Sequence, residues 1–331
     1  MKHTANIPIF VPPAGCPNTC IFCDQRTISG SVKLPVPSEV TAFCQNTLDS
    51  LDDGIQKAEI AFFGGSFTAI DREYMVALLE AVQSCRQHPK MSGIRLSTRP
   101  DAIDGEVLQL LKQYGVTAVE LGVQSLDDHV LEKNLRGHSA NDTFAASALI
   151  KEAELELGHQ IMLGMHGDSA EGFRSTVRRS AAMRPDTVRI YPVVVLKNTA
   201  LQNLWQQGIY QPPTLEEAVE LGAWALRQYE TAGVKVIRMG LHASAETEQN
   251  CVAGVYHPAF RELCESRVLL DAALEQLSEC KAGEYTLKVA KGATSKMVGQ
   301  HRVNILALEK AGYRVMVRED DSVDYMKVII E

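Results

Sequence analysis

The chain has 331 residues, 45% of them hydrophobic and 22% charged, with a formal net charge of −8. This is the composition of a globular protein rather than of a disordered or fibrous one, and with no run of about 18 apolar residues, no helical membrane span is expected. Residues 1–13 carry one lysine and a short apolar stretch broken by prolines, unlike a secretory leader, so a cytoplasmic protein is expected.

Strand-like apolar runs occur at 7–11, 59–63, 94–97, 118–123, 160–163 and 188–195. Between them the apolar residues follow a helical period. Val40, Phe43, Leu48 and Leu51 form one stripe behind a cap at Ser38, and Met75, Leu78, Leu79 and Val82 form another. Six strand–helix units predict parallel strands with right-handed crossovers: an α/β fold, a partial (β/α)6 TIM-like barrel. Reactive residues of such a barrel lie at the carboxyl ends of its strands. An amphipathic helix over 215–232, a strand over 234–239 and a helix near 260–280 follow. The expected division is a barrel over 1–200, a barrel-closing extension over 201–280 and a small basic α/β module over 281–331. Residues 281–318 hold eight Lys or Arg against two Glu, whereas 319–331 hold five acids against Lys327. A basic segment on an acidic chain is either a solvated face or an anion-binding surface.

Eight cysteines are too few for a disulfide scaffold, and in a reducing compartment closely spaced thiols are more often metal ligands or catalytic groups. Cys16, Cys20 and Cys23 have the spacing C-x3-C-x2-C, directly after the first expected strand. Three thiolates on one short loop can hold three corners of a cubic iron–sulfur cluster and leave the fourth iron open to a chelating ligand such as S-adenosylmethionine. Zinc is the alternative, although structural zinc sites have four ligands, usually in paired units, and only His3 offers itself as a fourth. Phe22, inside the triplet, would shield the cluster from solvent.

With these cysteines the sequence resembles the radical S-adenosylmethionine superfamily. Within it the likeness is to the radical domain of the Elongator catalytic subunit and to oxygen-independent coproporphyrinogen oxidase relatives, over roughly residues 5–260. Phe63-Gly64-Gly65-Ser66 is similar to the family's glycine motif, which meets the amino group of S-adenosylmethionine. Ser97 ends the third strand where relatives often carry an acid for the ribose hydroxyls. Gln124, at the end of Glu120-Leu121-Gly122-Val123-Gln124, and Arg136, in a helix-like stretch, match a Gln and an Arg that contact the ribose and the carboxylate. Gln160 opens Gln160-Ile161-Met162-Leu163-Gly164-Met165-His166-Gly167, which matches the fifth strand and its adenine-facing end, with His166 where relatives often have proline. Arg189-Ile190-Tyr191-Pro192 with Lys197-Asn198-Thr199 is similar to the sixth strand and loop of the Elongator relatives. The resemblance implies a [4Fe–4S] cluster and S-adenosylmethionine as cofactors, a 5′-deoxyadenosyl radical as product of their reaction, and an electron donor such as flavodoxin or ferredoxin.

Lys197 and His257 are the candidates for catalytic groups, His257 also reading as a packed histidine. Cys44, Cys85 and Cys264 continue apolar helical stripes and read as core. Cys251, Cys264 and Cys280 have the wrong spacing for a second cluster loop.

From 285 the pattern is a strand (285–289), a short helix (294–298), the loop Gly299-Gln300-His301-Arg302, a helix (303–311) and a strand (313–317). This order resembles a K-homology RNA-binding module, whose GXXG loop clamps a nucleic-acid backbone, with Arg302 in place of the second glycine. Lys288, Lys291, Lys296, Gly299 and Arg302 are the candidate RNA contacts; the other reading is an appendage that packs on the barrel. A radical enzyme that modifies transfer RNA is therefore expected, without room in the chain for the acetyltransferase domain of Elongator relatives. The alternatives are a small-molecule radical enzyme and a non-catalytic cluster- or haem-binding protein.

Overall fold

The computed structural model describes residues 4–11, 20–24, 34–241 and 244–331. Cys16, His3 and His242 lie outside the described residues. In chain order, β1 (Thr4–Val11), α1 (Pro37–Asp49), β2 (Lys57–Gly64), α2 (Arg72–Ala81), β3 (Met91–Thr98), α3 (Gly105–Gln113) and β4 (Val116–Gln124) form the first half of a partial barrel. It continues through α4 (Asp128–Lys133), α5 (Ala140–Glu152), β5 (Glu156–Leu163), α6 (Ala170–Ala182) and β6 (Thr187–Pro192). The short β7 (Val194–Leu196) and α7 (Ala200–Gln206) lead to α8 (Leu215–Thr231) and β8 (Lys235–Met239). The strands pair in the order β1-β2-β3-β4-β5-β6-β8, each neighbouring pair parallel.

Alternation along each strand separates two faces. Ile60, Phe62, Ile94, Leu96, Leu121, Val123, Ile161, Leu163, Val188 and Ile190 face outward, into one core with the helices. Each such fully buried side chain contributes about 2 kcal/mol by leaving water. The residues between them, including Arg95, Ser97, Glu120, Gln160, Arg189 and Tyr191, face the lumen. A lumen lined with charge is a place for a polar ligand rather than a packed core.

The structure departs from the sequence reading at several places. The barrel has a seventh strand, β8, which pairs with β6 although the sequence reading put it in the closing extension. Residues 188–195 are two strands, because Pro192 cannot donate to the ladder; β7 turns away and pairs antiparallel with β9 (Cys251–Gly254), after α9 (Ala245–Asn250). Ser38 does not cap α1: Val36 is the cap residue, and Pro37, with its fixed φ and missing N–H, takes the first turn. Arg136 lies not on a helix but in the connection between α4 and α5, where Leu135 (φ 53°) and Gly137 (φ 71°) are left-handed and end the helical path.

His159 sits on the outward face of β5, fully enclosed, with Nε2 3.0 Å from Ser147 Oγ and Nδ1 2.9 Å from Ser180 Oγ. Burial, with Lys151 nearby, pushes its pKa down from 6.5 to about 3. His138 is pushed down to about 4 by burial and the charge of Arg136. Both imidazoles are neutral when folded and charge more readily when unfolded, so the unfolded chain binds more protons in acid. Stability is expected to be full above pH 6.5 and to fall as the pH drops from there through about 4 for His138 and about 3 for His159. Urea unfolding of the wild type and His159→Gln at pH 7 and 5 checks this; the variant should be less stable at pH 7 but lose less on acidification.

After α10 (Phe260–Leu277) come β10 (Gly283–Val289), α11 (Thr294–Val298), α12 (Val303–Lys310), β11 (Tyr313–Glu319) and β12 (Val328–Ile330). The sheet order is β11-β10-β12, with β10 parallel to β11 and antiparallel to β12. Leu287, Val289, Met297, Leu308 and Val328 share a core with Leu269, Ala273 and Leu277 of α10. Asn304 Nδ2 donates to Ser266 O at 3.0 Å and to Ser266 Oγ at 2.9 Å, which ties the module's second helix to α10. No helix among the described residues is long and apolar enough to cross a membrane.

Candidate cofactor and active site

Cys20 is buried and Cys23 half-buried, in a tight turn closed by Cys23 N–H donating to Cys20 O at 3.0 Å. Ile21 pins this turn: its N–H donates to Asn134 O, and its carbonyl accepts from Leu201 N–H at 2.8 Å. The Ile21 side chain packs with Val130, Met165, Val195, Leu201 and Tyr210, and Phe22 lies against the same cluster. The two described thiols are thus fixed at the carboxyl end of the barrel, where the sequence reading puts them.

The connection after α4 reaches under the turn. Arg136 Nη1 donates to Cys20 Sγ at 3.2 Å and Nη2 to Gly122 O at 2.8 Å. A Cβ on Gly122 would sit 3.1 Å from Gln124 Nε2 and 3.3 Å from Arg136 Nη2, so the glycine in Glu120-Leu121-Gly122 makes room for both side chains. Asn134, fully buried, braces the loop by donating to Val130 O at 2.7 Å and His166 O at 2.8 Å.

Gly64 is glycine for a physical reason. Its φ is +112°, and a Cβ there would lie 2.4 Å from Val11 O and 2.6 Å from the Phe10 ring. Gly65 N–H donates to Val11 O at 2.7 Å, so the ends of β1 and β2 close together just before the cysteine loop. Ser66 is buried at the following turn, where the Phe62 and Phe67 rings stack at 4.5 Å.

Ser97 and Gln160 meet in the lumen: Gln160 Nε2 donates to Ser97 Oγ at 3.0 Å and to Glu120 Oε2 at 2.9 Å. Glu120 also takes a fork from Arg189, Nε to Oε2 at 2.6 Å and Nη2 to Oε1 at 2.9 Å, and a bond from Arg95 Nη1 at 3.3 Å. Burial opposes its ionisation, but the Arg189, Gln160 and Arg95 contacts outweigh it and hold the carboxyl below its ordinary range. Arg189 lies over the Phe63 ring at 5.4 Å. Burial raises the Tyr191 phenol. The sequence reading quotes Glu120, Arg189 and Tyr191 within motifs but gives them no role. A charge at 120 between apolar Val119 and Leu121 was the available signal for a lumen-facing residue.

Some candidates sit apart from this constellation. Lys197 is exposed and donates to Gln249 O at 2.7 Å. His257 Nδ1 accepts from Ala259 N–H at 3.1 Å, at the start of α10. In the C-terminal module Lys288 is paired with Glu331 and with Asp320. Lys296 is paired at 2.6 Å with the buried Glu265, which also binds Arg261 at 2.6 Å and Tyr325. Lys291 and Arg302 are exposed, and Gly299 is buried between α11 and α12. Arg302 has φ 62°, so the position that the GXXG pattern gives to glycine does take a left-handed backbone here. Cys44, Cys85 and Cys264 are buried, as expected of core thiols. Burial and the facing Cys85 push the Cys44 thiol up to about 12.

The cavity chemistry fits an iron–sulfur cluster with a nucleoside-bearing ligand. Among the described residues, the buried Gln124 Oε1 and Arg136 Nε have no hydrogen-bond partner, and both side chains border the space above Gly122. Buried polar atoms left open in this way call for a polar ligand. The thiols supply soft donors for iron, and the Arg136 donor to Cys20 Sγ is the kind of outer contact that orients a metal ligand.

Comparison with known proteins agrees. The family model of the Radical SAM superfamily matches residues 10–179, and that of the Radical_SAM C-terminal domain matches 185–269. The tRNA uridine(34) acetyltransferase of Methanocaldococcus jannaschii is 30% identical over 267 residues, 68% of this chain and 49% of that protein. The heme chaperone HemW of Bacillus subtilis is 23% identical over 237 residues, 70% of this chain and 62% of that one. The solved structure of Methanocaldococcus infernus Elp3 with an N-terminal deletion superposes with a TM-score of 0.64 at 23% identity, over 83% of this chain and 63% of that chain; it shows the same fold. The chain spans about half the length of the first of these curated relatives. With the thiol turn, the glycine cradle and the open polar atoms at one end of a parallel partial barrel, the chain belongs to the radical S-adenosylmethionine superfamily, as an enzyme whose cofactors are a [4Fe–4S] cluster and S-adenosylmethionine.

Proposed function

We propose that the chain is a cytoplasmic radical enzyme that modifies transfer RNA. Cys16, Cys20 and Cys23 hold the cluster, which Phe22 shields from solvent, and Gly64, Gly65, Ser66, Ser97, Gln124, Arg136 and Gln160 receive S-adenosylmethionine. When bound, the two cofactors supply one-electron cleavage of a carbon–sulfur bond to give a 5′-deoxyadenosyl radical, the electron coming from a flavodoxin- or ferredoxin-type donor. Arg136 braces the Cys20 sulfur from one side and has its Nε left for a ligand carboxylate. Gln124 offers its open carbonyl from the end of β4.

The observation that carries the substrate class is the 30% identity, over 68% of this chain, to a protein named as a tRNA uridine(34) acetyltransferase. The C-terminal module adds support through its β-α-α-β order and the left-handed turn at Arg302. Because Lys288 and Lys296 are already paired, Lys291, Arg302 and the loop at Gly299 are the contacts to test.

Transfer RNA is expected to bind with an affinity that falls at least about tenfold between roughly 50 and 200 mM salt, and Lys291→Ala with Arg302→Ala is expected to weaken it and flatten the salt slope. Filter binding measures both, and the yield of 5′-deoxyadenosine should rise when transfer RNA is added. The likeness to HemW favours a second reading, a small-molecule or haem-handling relative. A yield that ignores RNA, together with no salt-dependent RNA binding, would move the assignment there.

A further inference from the structure

Glu120 is the most deeply enclosed charge of the lumen, with 1% of its side chain exposed. Among the described residues its side-chain hydrogen bonds all go to Arg95, Gln160 and Arg189, a network that joins β3, β4, β5 and β6. We infer that Glu120 is a positioning residue for the nucleoside of S-adenosylmethionine: it fixes which atoms Gln160 and Ser97 present to the ribose. This rests on the proposal that those two side chains meet the ribose.

The reasoning is one of donors and acceptors. An ionised carboxylate only accepts hydrogen bonds, so the end of the Gln160 amide that faces Glu120 must be its NH2. That NH2 group reaches Ser97 Oγ as well, at 3.0 Å. Both its protons are then used and the Gln160 carbonyl is turned away from the carboxylate. Ser97 Oγ, having accepted, keeps its own O–H to donate. The pair therefore offers one fixed acceptor and one fixed donor, the complement of a vicinal diol, whose hydroxyls each donate and accept. A neutral pair does here what a carboxylate does where relatives carry an acid near Ser97. Without Glu120 the amide is free to turn over and present NH2 instead.

Gly158 belongs to the same device. A Cβ there would lie 2.7 Å from Glu120 Cγ and 3.1 Å from Thr187 Oγ1, so the missing side chain on β5 is the space in which Glu120 reaches Gln160. In register, Glu120 sits opposite Gly158, and Gln160 opposite Arg189. Arg189 can therefore serve a carboxylate at either position 120 or position 160.

The test uses the cluster-reconstituted protein and 5′-methylthioadenosine, a nucleoside probe without the amino-acid part, with its Kd measured by calorimetry. Ser97→Ala and Gln160→Ala are expected to weaken binding about tenfold, the worth of one good hydrogen bond, and Glu120→Gln to weaken it similarly with both contact residues intact. Gly158→Ala, which crowds Glu120 but keeps every charge, should give the same direction and serves if Glu120→Gln does not fold. Glu120→Gln added to Gln160→Ala is expected to weaken binding no further than Gln160→Ala alone, because Glu120 acts only through that amide; a purely structural carboxylate would add its own loss. If Ser97→Ala and Gln160→Ala bind like the wild type, the ribose reading falls and the inference with it. If those two weaken binding while Glu120→Gln and Gly158→Ala do not, or if the losses in the double variant add in full, the positioning role is overturned and the ribose reading stands.

Discussion

Cys20→Ala is expected to leave the protein unable to hold its cluster, with iron and sulfide after anaerobic reconstitution at roughly a tenth of the wild-type content or less, because a cluster held by three thiolates has no spare protein ligand. Cys20 is the described thiol most tightly built into the site. It is buried, its turn is closed by Cys23, and Arg136 Nη1 donates to its sulfur at 3.2 Å. The control is Cys44→Ala. Cys44 is also buried, but its thiol is pushed up to about 12 by burial and the facing Cys85, and it lies on the helix side of the sheet among Val40 and Leu48. A neutral core thiol of this kind does not bind iron. Its loss should lower stability by roughly 1 kcal/mol, as for a small core truncation, and leave the iron content unchanged. Full iron in Cys20→Ala would remove this cysteine from the cluster.

Gly64→Ala is expected to be among the most destabilising single substitutions in the chain, by about 3 kcal/mol. Two costs combine. The residue has φ +112°, where an L side chain is strained, and the added carbon would lie 2.4 Å from Val11 O and 2.6 Å from the Phe10 ring. The backbone contact cannot yield cheaply, since Val11 is the last residue of β1 and its carbonyl already accepts from Gly65 N–H. Relief would have to come from parting β1 and β2 at the point where the cysteine loop begins, so cluster retention should fall too. Gly54→Ala, at a turn with nothing within 4 Å of the new carbon, should change stability by no more than about 0.5 kcal/mol. Urea unfolding with cluster-free protein measures both; equal stability of the two variants would show that the β1–β2 closure is loose.

Much of this was legible in the sequence because it is written in local pattern. Strand–helix alternation gave the parallel partial barrel, and the cysteine spacing, Gly64-Gly65 and the motif from Glu120 to Gln124 marked strand ends that the fold brings together. The β-α-α-β order at the carboxyl end came through almost residue for residue, since each element there has its own turn signal. What stayed hidden depends on partners far along the chain. Lys296 reads as a free cation beside a basic stretch, yet Glu265, on α10, holds it at 2.6 Å. Lys288 is paired with Asp320 and Glu331, whose acids read as a separate tail. Glu120 sits between apolar Val119 and Leu121 and gains its meaning only when Arg189, Gln160 and Arg95 arrive from three other strands. Arg136 was assigned by motif, but its hold on Cys20 required the left-handed turns at Leu135 and Gly137, which a helix-like pattern does not reveal.

The most direct measurement is the yield of 5′-deoxyadenosine from anaerobically reconstituted wild-type protein given S-adenosylmethionine and a one-electron reductant, with Cys20→Ala alongside. Formation by the wild type, raised by transfer RNA and absent from Cys20→Ala, is the predicted result. A wild-type protein that holds its full cluster and forms no 5′-deoxyadenosine, with or without transfer RNA, would contradict it.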